Sequence, residues 1–483
     1  MRSFLFQDSG EQEERKEVGR RYAEELIPFS ISKDLMKPIA FILLLAAFTQ
    51  VHAQSSRQIE SQALAAQVKS EFLHSWNAYK KYAWGYDGLK PISKSPYNWH
   101  AVPLYVNALD ALDTMILMGL KEEADSVREF IVGNLSFDHD IYVKNFEITI
   151  RLLGGLLSCY QLSGDERLLK LADDLGTRLL PVFKTPTGIP YVDVNLKTAA
   201  IRNPRTNPGE VGTLLVEYGT LSKLTGKTVY YETAKKAVVE IYKRRSSIGL
   251  VGTWIDADTG EWLDRDSHLS ACIDSYYEYM IKSWILFDDK DMKEMWDTSI
   301  VSIKKYLADE TPSGLWFGHA DMITGKRTKT WFGALDAFFP GSLVLAGDIE
   351  MAARLQESCL KMWNRHGIEP EDFDYMKMEA ARPRYFLNPE IMESAYYLYQ
   401  STRDPKYLEM GKTFFESLKK YCRLDEGYCE LKSVLTMKHS DRMETYFLAE
   451  TLKYLYLLFA PPETVDLKKT VFNTEAHPIR RWW

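Results

Sequence analysis

The sequence predicts an all-α fold, a toroid of helical hairpins with small β-hairpin or loop decorations. Three observations predict it. Segments 211–224, 275–287, 390–401 and 441–459 place large apolar residues at helical spacing. A turn signature follows such segments: Leu162-Ser163-Gly164-Asp165, Leu224-Thr225-Gly226-Lys227, Phe287-Asp288-Asp289-Lys290, Ala346-Gly347-Asp348 and Thr402-Arg403-Asp404-Pro405. A second helical pattern, such as 167–180 or 406–421, comes after each turn.

The turns recur about 55 to 63 residues apart, the period of stacked hairpins with long connections. Gly and Asp suit them as helix stop and helix cap. Met118-Gly119-Leu120 and the end of 452–459 read as weaker copies, which makes seven pairs. Such pairs either form an open solenoid or close on themselves. The aromatic-rich first helix of each pair favours closure, because a solenoid leaves one face wet. The connections 185–209 and 249–266 are long enough to carry hairpins or loops, and no linker divides the chain downstream of Gln54.

Residues 36–53 read as a secretory signal peptide. Lys37 supplies the positive start, 39–48 an unbroken apolar run, and Val51-His52-Ala53 a small-residue cleavage site. That run is about half of the roughly 20 residues a membrane span needs, so no stable membrane anchor is expected. A buried core helix is the alternative. Because a charged segment, 11–25, precedes the signal, residues 1–35 are expected to be a non-native extension. Residues 54–478 are then one domain and 479–483 a tail. The expected location is secreted or periplasmic, or the ER lumen in a eukaryote. The lack of an ER-retention tail after Trp483 points to a bacterial envelope.

Composition narrows the partners. Hydrophobic residues make up 46% and charged residues 26%, the balance of a globular chain with a large core. A net charge of -7 without a long basic run makes nucleic acid a poor partner. The five cysteines have no metal-site spacing; Cys422 and Cys429 are close enough to bridge in an oxidising compartment. A monomer is the expected state. His268, His319 and His439 read as loop or surface residues rather than ligands.

The chemistry lies in acids at helix starts: Glu147 after Phe146, Asp274 and Glu278, Glu390 and Glu393, Asp441 and Glu444. Each precedes its turn by roughly four helical turns, so equivalent repeats would bring the carboxylates to one mouth. A single such acid is most simply a cap that complements the helix dipole. Recurrence beside aromatics (Phe146, Tyr276, Tyr396, Phe447) favours glycoside hydrolysis, where one carboxyl protonates the leaving oxygen and another activates water or attacks. Arg151, one turn after Glu147, is placed to pair with it. Oxygen ligands of this kind also suit a hard cation, although no EF-hand loop is present.

At these residues the chain resembles glycoside hydrolase family 47, the class I α-1,2-mannosidases, from about Phe72 to His477. The motifs are Asp110-Ala111-Leu112-Asp113-Thr114, the run from Phe146-Glu147 to Gly154-Gly155, Thr185-Pro186-Thr187-Gly188-Ile189-Pro190, Asp274-Ser275-Tyr276-Tyr277-Glu278-Tyr279, and Phe472-Asn473-Thr474-Glu475-Ala476-His477-Pro478. The resemblance implies an (α/α)7 barrel and an inverting, calcium-dependent exo-mannosidase acting on terminal α-1,2-linked mannose of glycans or glycoproteins. It implies Glu147 as proton donor, Asp274 and Glu390 as the acids that position or activate water, and Glu371 as a further active-site acid. Thr474 would bind calcium beside Glu475, and Arg151, Glu217, Glu393, Phe447 and Glu450 would line the sugar pocket.

The chain departs from the processing enzymes at Gly219 and Cys272, where they carry Arg, and at Ala334, where they carry His. There it looks more like the ER degradation-enhancing mannosidase-like branch. The alternative function is therefore a mannose-binding, chaperone-like barrel without turnover, and the retained acid set favours catalysis. A purely structural helical scaffold is disfavoured by the inward acids.

Overall fold

The computed structural model describes secondary structure from residue 33 and side chains from residue 58 onward. The extension at 1–35 and the signal peptide at 36–53 lie outside the residues with described side chains. Contacts separate Met1–Glu60 from a compact unit, Ser61–Trp483. Helix α1 (Lys33–Ala83) runs through both ranges. Among the described residues, no helix is long and apolar enough to cross a membrane.

Within Ser61–Trp483 the helices alternate between two rings. The inner ring holds α2 (Val106–Leu117), α5 (Gly154–Ser163), α8 (Leu215–Thr225), α10 (Asp274–Phe287), α12 (Phe339–Leu345), α14 (Glu390–Thr402) and α16 (Leu452–Phe459). Each packs on the next, and the turn Phe447–Thr451 ahead of α16 packs on α2, which closes the circle. The outer ring holds residues 61–83 of α1, then α3 (Lys121–Asn134), α6 (Glu166–Leu179), α9 (Thr228–Lys243), α11 (Lys290–Tyr306), α13 (Ile349–His366) and α15 (Lys406–Tyr421). The short helices α4 (Asn145–Ile148) and α7 (Pro208–Gly212) lead into α5 and α8. Fourteen helices in seven pairs make the (α/α)7 barrel expected from the repeats.

Sequence chemistry explains the two rings. Outer helices are amphipathic: α6 buries Leu168, Ala172, Leu175, Gly176 and Leu179, one face at helical spacing. Inner helices have no wet face, and in α2 every residue from Val106 to Met115 is buried. Four pairs turn where a residue in a left-handed conformation stops the inner helix: Gly164 at φ 75°, Gly226 at φ 74°, Asp288 at φ 56° and Arg403 at φ 58°. The Asp that follows caps the outer helix: Asp165 accepts from the Arg167 N–H, Asp289 from Asp291 and Met292, Asp348 from Met351.

Two expected helices differ. The segment 211–224 breaks between α7 and α8, where the Thr213 hydroxyl lies 2.7 Å from the Ser275 hydroxyl. The segment expected to start at Asp441 becomes helical only after Tyr446, through the π-turn Phe447–Thr451. Asp441 caps a different loop instead, accepting the Ile92 and Ser93 N–H groups at 2.8 and 3.2 Å.

The long connections form small antiparallel sheets, as the decorations required. One hairpin pairs Thr470–Phe472 with Pro478–Arg480, so strand pairing continues into the residues expected as a tail. Its tip, 473–477, is held inside the ring. His477 Nδ1 sits 2.6 Å from Asp113 Oδ2, Lys453 Nζ 2.7 Å from Asp113 Oδ1, and all three side chains are fully buried. Lys453 also donates to the Ala476 carbonyl at 2.7 Å. Burial pushes the Asp113 carboxyl up, but Lys453 and His477 outweigh it and hold it below the usual range.

Removing one partner of such a cluster strands a buried charge. Asp113→Asn is expected to cost about 3–5 kcal/mol, seen as a lower midpoint in urea or heat. An unchanged midpoint would show that the cluster does not anchor the tip.

Candidate active site

The first turns of α10 and α14, together with segments that lead into other inner helices and the hairpin tip, enclose a cavity of about 320 Å³. Glu147 reaches it from α4, Glu210 from α7, Asp274 from α10, Glu390 from α14, Glu450 from the π-turn Phe447–Thr451, and Thr474 and Glu475 from the hairpin tip. Arg151 comes from a second π-turn, Thr149–Leu153. Such turns carry an extra residue per turn and recur at functional sites, re-aiming a side chain. Here they place Arg151 and Glu450 in the wall.

Arg151 organises one side of the cavity. Its Nη1 is 2.5 Å from Glu475 Oε2 and its Nε 3.1 Å from Glu147 Oε2. Glu147 keeps a partly exposed carboxyl, with 29% of its side-chain surface open, so it is the acid best placed to meet an incoming group. Trp99 and Tyr446 flank the guanidinium at 5.3 and 5.7 Å.

The opposite side is an assembly of poorly compensated acids. Burial, and then repulsion from Glu278, pushes Asp274 up to about 7, although the Ser275 N–H donates to it at 2.8 Å. Burial drives Glu390 well above the carboxylate range, with Glu393 and Asp274 adding to it. One Glu390 oxygen, Oε2, has no hydrogen-bond partner. Glu450 is raised by burial and by Glu475, Glu390 and Glu393, against the pull of Arg151. Lys282 stands behind this side, bonded to Glu278 and 3.6 Å from Glu393.

Several site residues from the sequence stand elsewhere. Glu393 and Glu217 are buried behind the wall: Glu393 accepts from the Tyr454 hydroxyl at 3.1 Å, and Glu217 from Tyr279 at 2.7 Å and Asn473 at 2.8 Å. Burial pushes Glu217 up to about 7. Phe447 is a core residue against Tyr428, and the aromatic in the wall is its neighbour Tyr446. Tyr276 and Tyr396 are likewise core, leaving Phe146 as the one aromatic of the four that lines the cavity. Glu371 is outside the lining, 3.2 Å from Arg382.

The departures separate too. Cys272 lines the cavity. Gly219 faces Phe287, where a β-carbon would come within 2.4 Å of the ring, so that position belongs to packing. Glu210 and Lys282 went unnoticed because each has an ordinary local reading. Asn207-x-x-Glu210 is a capping pattern, and Lys282 follows Glu278 by four residues.

All five cysteines are free thiols; the Cys429 N–H donates to the Cys422 carbonyl at 2.9 Å without a bridge between the side chains. The histidines correct the surface reading. His268 and His319 are buried, and only His439 is half-buried, its Nε2 2.9 Å from the Tyr421 carbonyl.

The raised carboxyls set the sign of a pH dependence. Asp274 and Glu217 hold protons in the folded chain up to about pH 7, whereas unfolding returns them to 3.8 and 4.5. The folded state therefore binds more protons across that window, and its stability falls as pH rises through it. In chelator, the melting temperature is expected to drop by several degrees between pH 5 and pH 8, and less so in Asp274→Asn. A flat or rising trend in both proteins would contradict this placement of the acids.

Known proteins share these features. The model of Glycosyl hydrolase family 47 matches residues 71–481. Alpha-mannosidase I MNS5 of Arabidopsis thaliana is 35% identical, over 91% of this chain and 81% of its own length. The human ER degradation-enhancing alpha-mannosidase-like protein 3 is 37% identical over 89% of this chain, which spans about half (49%) of that protein. Among solved structures, the alpha-1,2-mannosidase from Trichoderma reesei superimposes with a TM-score of 0.80 at 28% identity, over 87% of this chain and 99% of the other. The closed ring of seven helix pairs, the carboxylates at its mouth and these matches agree: the chain belongs to glycosyl hydrolase family 47.

Proposed function

We propose that the protein is a calcium-dependent, inverting exo-α-mannosidase that removes terminal α-1,2-linked mannose from high-mannose glycans or glycoproteins. One observation carries this reading. Acids from six segments scattered between Glu147 and Glu475 meet around a single cavity of about 320 Å³, the small end of the range for ligand pockets.

The residues divide the work. Glu147 is the proton donor to the leaving oxygen, because it sits at the open side with Arg151 holding its carboxyl in place. Asp274 and Glu390 face it and accept the proton of the attacking water, directly or through one another. Burial disfavours ionising both, so one carboxyl stays protonated while the other serves as base. Arg151 and Glu475 fix the hydroxyls of the sugar ring, and Tyr446 offers an apolar edge.

The donor set fits calcium. Thr474 lines the cavity at the tip of a rigid hairpin: Asn473 accepts the Glu475 and His477 N–H groups at 2.9 and 2.8 Å, and the Thr474 N–H donates to Tyr279 at 3.1 Å. The Thr474 hydroxyl and carbonyl would hold the ion, with Glu475, Glu450 and Glu390 in the same wall and Glu393 behind it. When bound, calcium would supply hard positive charge to an all-oxygen site whose acids outnumber the cations beside them, Arg151, Lys282 and Lys144. Relatives named for the ER and the signal-like segment 36–53 fit an exported or luminal protein.

Incubation with a high-mannose oligosaccharide is expected to release free mannose, to stop in chelator and to resume with calcium. The first product seen by NMR should be the β-anomer. Glu147→Gln should lower kcat about 10²- to 10⁴-fold with intact glycan binding. Glycan binding without any mannose release, calcium present, would replace this reading with the binding barrel.

A further inference from the structure

A second polar cavity, of about 300 Å³, adjoins the first across Ala271, which lines both. Its wall contains Asp266, His268, His319 and Lys329. We propose that Asp266, His268 and His319 bind a first-row divalent metal ion such as Zn²⁺, at a site distinct from the carboxylate cavity.

The sheet register builds the triad. Strands Asp266–Ser267 and His319–Asp321 run antiparallel, with Ser267 opposite Ala320 and Asp266 opposite Asp321. One step further along, His268 stands across from His319, and their ring centroids are 4.4 Å apart. Side chains alternate along a strand, so Asp266 and His268 share the face that His319 also uses. Asp266 Oδ2 is 2.8 Å from His319 Nδ1, and one ligating atom from each of the three residues lies within 4.8 Å of the others. Two imidazoles and a carboxylate on one face, open to a cavity on the other side, form a facial set for zinc or its neighbours rather than for calcium. Paired strands hold such a set more rigidly than loops do.

Neighbouring side chains fix the triad in place. Thr253 Oγ1 donates to the Asp266 carbonyl at 2.7 Å and lies 3.1 Å from His268 Nε2, while the Ser270 N–H donates to His268 Nδ1 at 3.2 Å, a bond that an incoming ion would displace. Lys329, opposite His319 on the third strand, places its ammonium 3.0 Å from Asp266 Oδ2. It supplies the positive charge in place of an ion. Its side chain is 44% exposed, so solvent can take the ammonium when a metal enters. Five residues separate His268 from Asp274, so an ion here would tether the segment that leads into the carboxylate cavity.

Titration of the full chain with ZnCl₂ by calorimetry, in excess calcium to fill hard-cation sites, tests this. One equivalent should bind with micromolar or tighter affinity, and Co²⁺ should give visible absorption of a nitrogen-ligated ion. His268→Ala/His319→Ala should weaken uptake by about 100-fold or more. Lys329→Met, which removes the competing charge and leaves the ligands, should tighten it several-fold. Melting curves report whether each variant is folded. No saturable Zn²⁺ uptake by the unaltered protein, or uptake undiminished in a folded double variant, would overturn the site.

Discussion

The site depends on one buried contact set, the four hydrogen bonds of Asn473. Its amide donates to the Ile150 carbonyl and to Glu217, both at 2.8 Å, and its oxygen accepts the Glu475 and His477 N–H groups. A hairpin tip has no helix or sheet to satisfy its backbone inside a ring of helices. The Asn473 side chain satisfies two of the tip's N–H groups, Tyr279 a third, and Lys453 the Ala476 carbonyl. Gly154 makes room for it, since a β-carbon there would lie 2.6 Å from the Asn473 amide nitrogen. Through Asn473 the tip is locked to the π-turn that carries Arg151, and through His477 to Asp113.

From that lock the electrostatics follow. A closed ring forces the first turns of its inner helices together, and with them the acids that begin those helices. Water cannot screen them well, so burial and mutual repulsion raise their pKa values rather than their exposure. The compensation is uneven. Arg151 pairs with Glu147 and Glu475 on one side, while Asp274, Glu390 and Glu450 face inward with little beyond Lys282 in support. Stability and reactivity are opposed here: the arrangement that keeps one carboxyl protonated beside another that can ionise also costs the fold energy.

Much of this was legible along the chain. Gly and Asp at the hairpin turns marked the seven pairs because they do a local job, stopping one helix and capping the next. Glu147, Asp274 and Glu390 stood out for the same local reason, at helix starts. Phe447 and Tyr276 misled because an aromatic beside an acid is equally a core residue, and only packing separates the two. Glu371 was placed by resemblance, and its carboxyl turns to Arg382. His268 and His319 read as loop or surface residues rather than ligands. They are far apart in sequence, and it is the pairing of two short strands that sets their rings face to face.

The sequence by itself determined the helical periodicity, the turn positions and the identity of most acids, since these rest on interactions within a few residues. Only the tertiary structure decided which side chains share a cavity. The π-turns that aim Arg151 and Glu450, the anchoring of the hairpin tip through Asn473 to Ile150 and Glu217, and the burial that lifts Asp274 are set by packing between segments far apart in the chain. Such contacts depend on ring closure, a property of the whole chain that no local window contains.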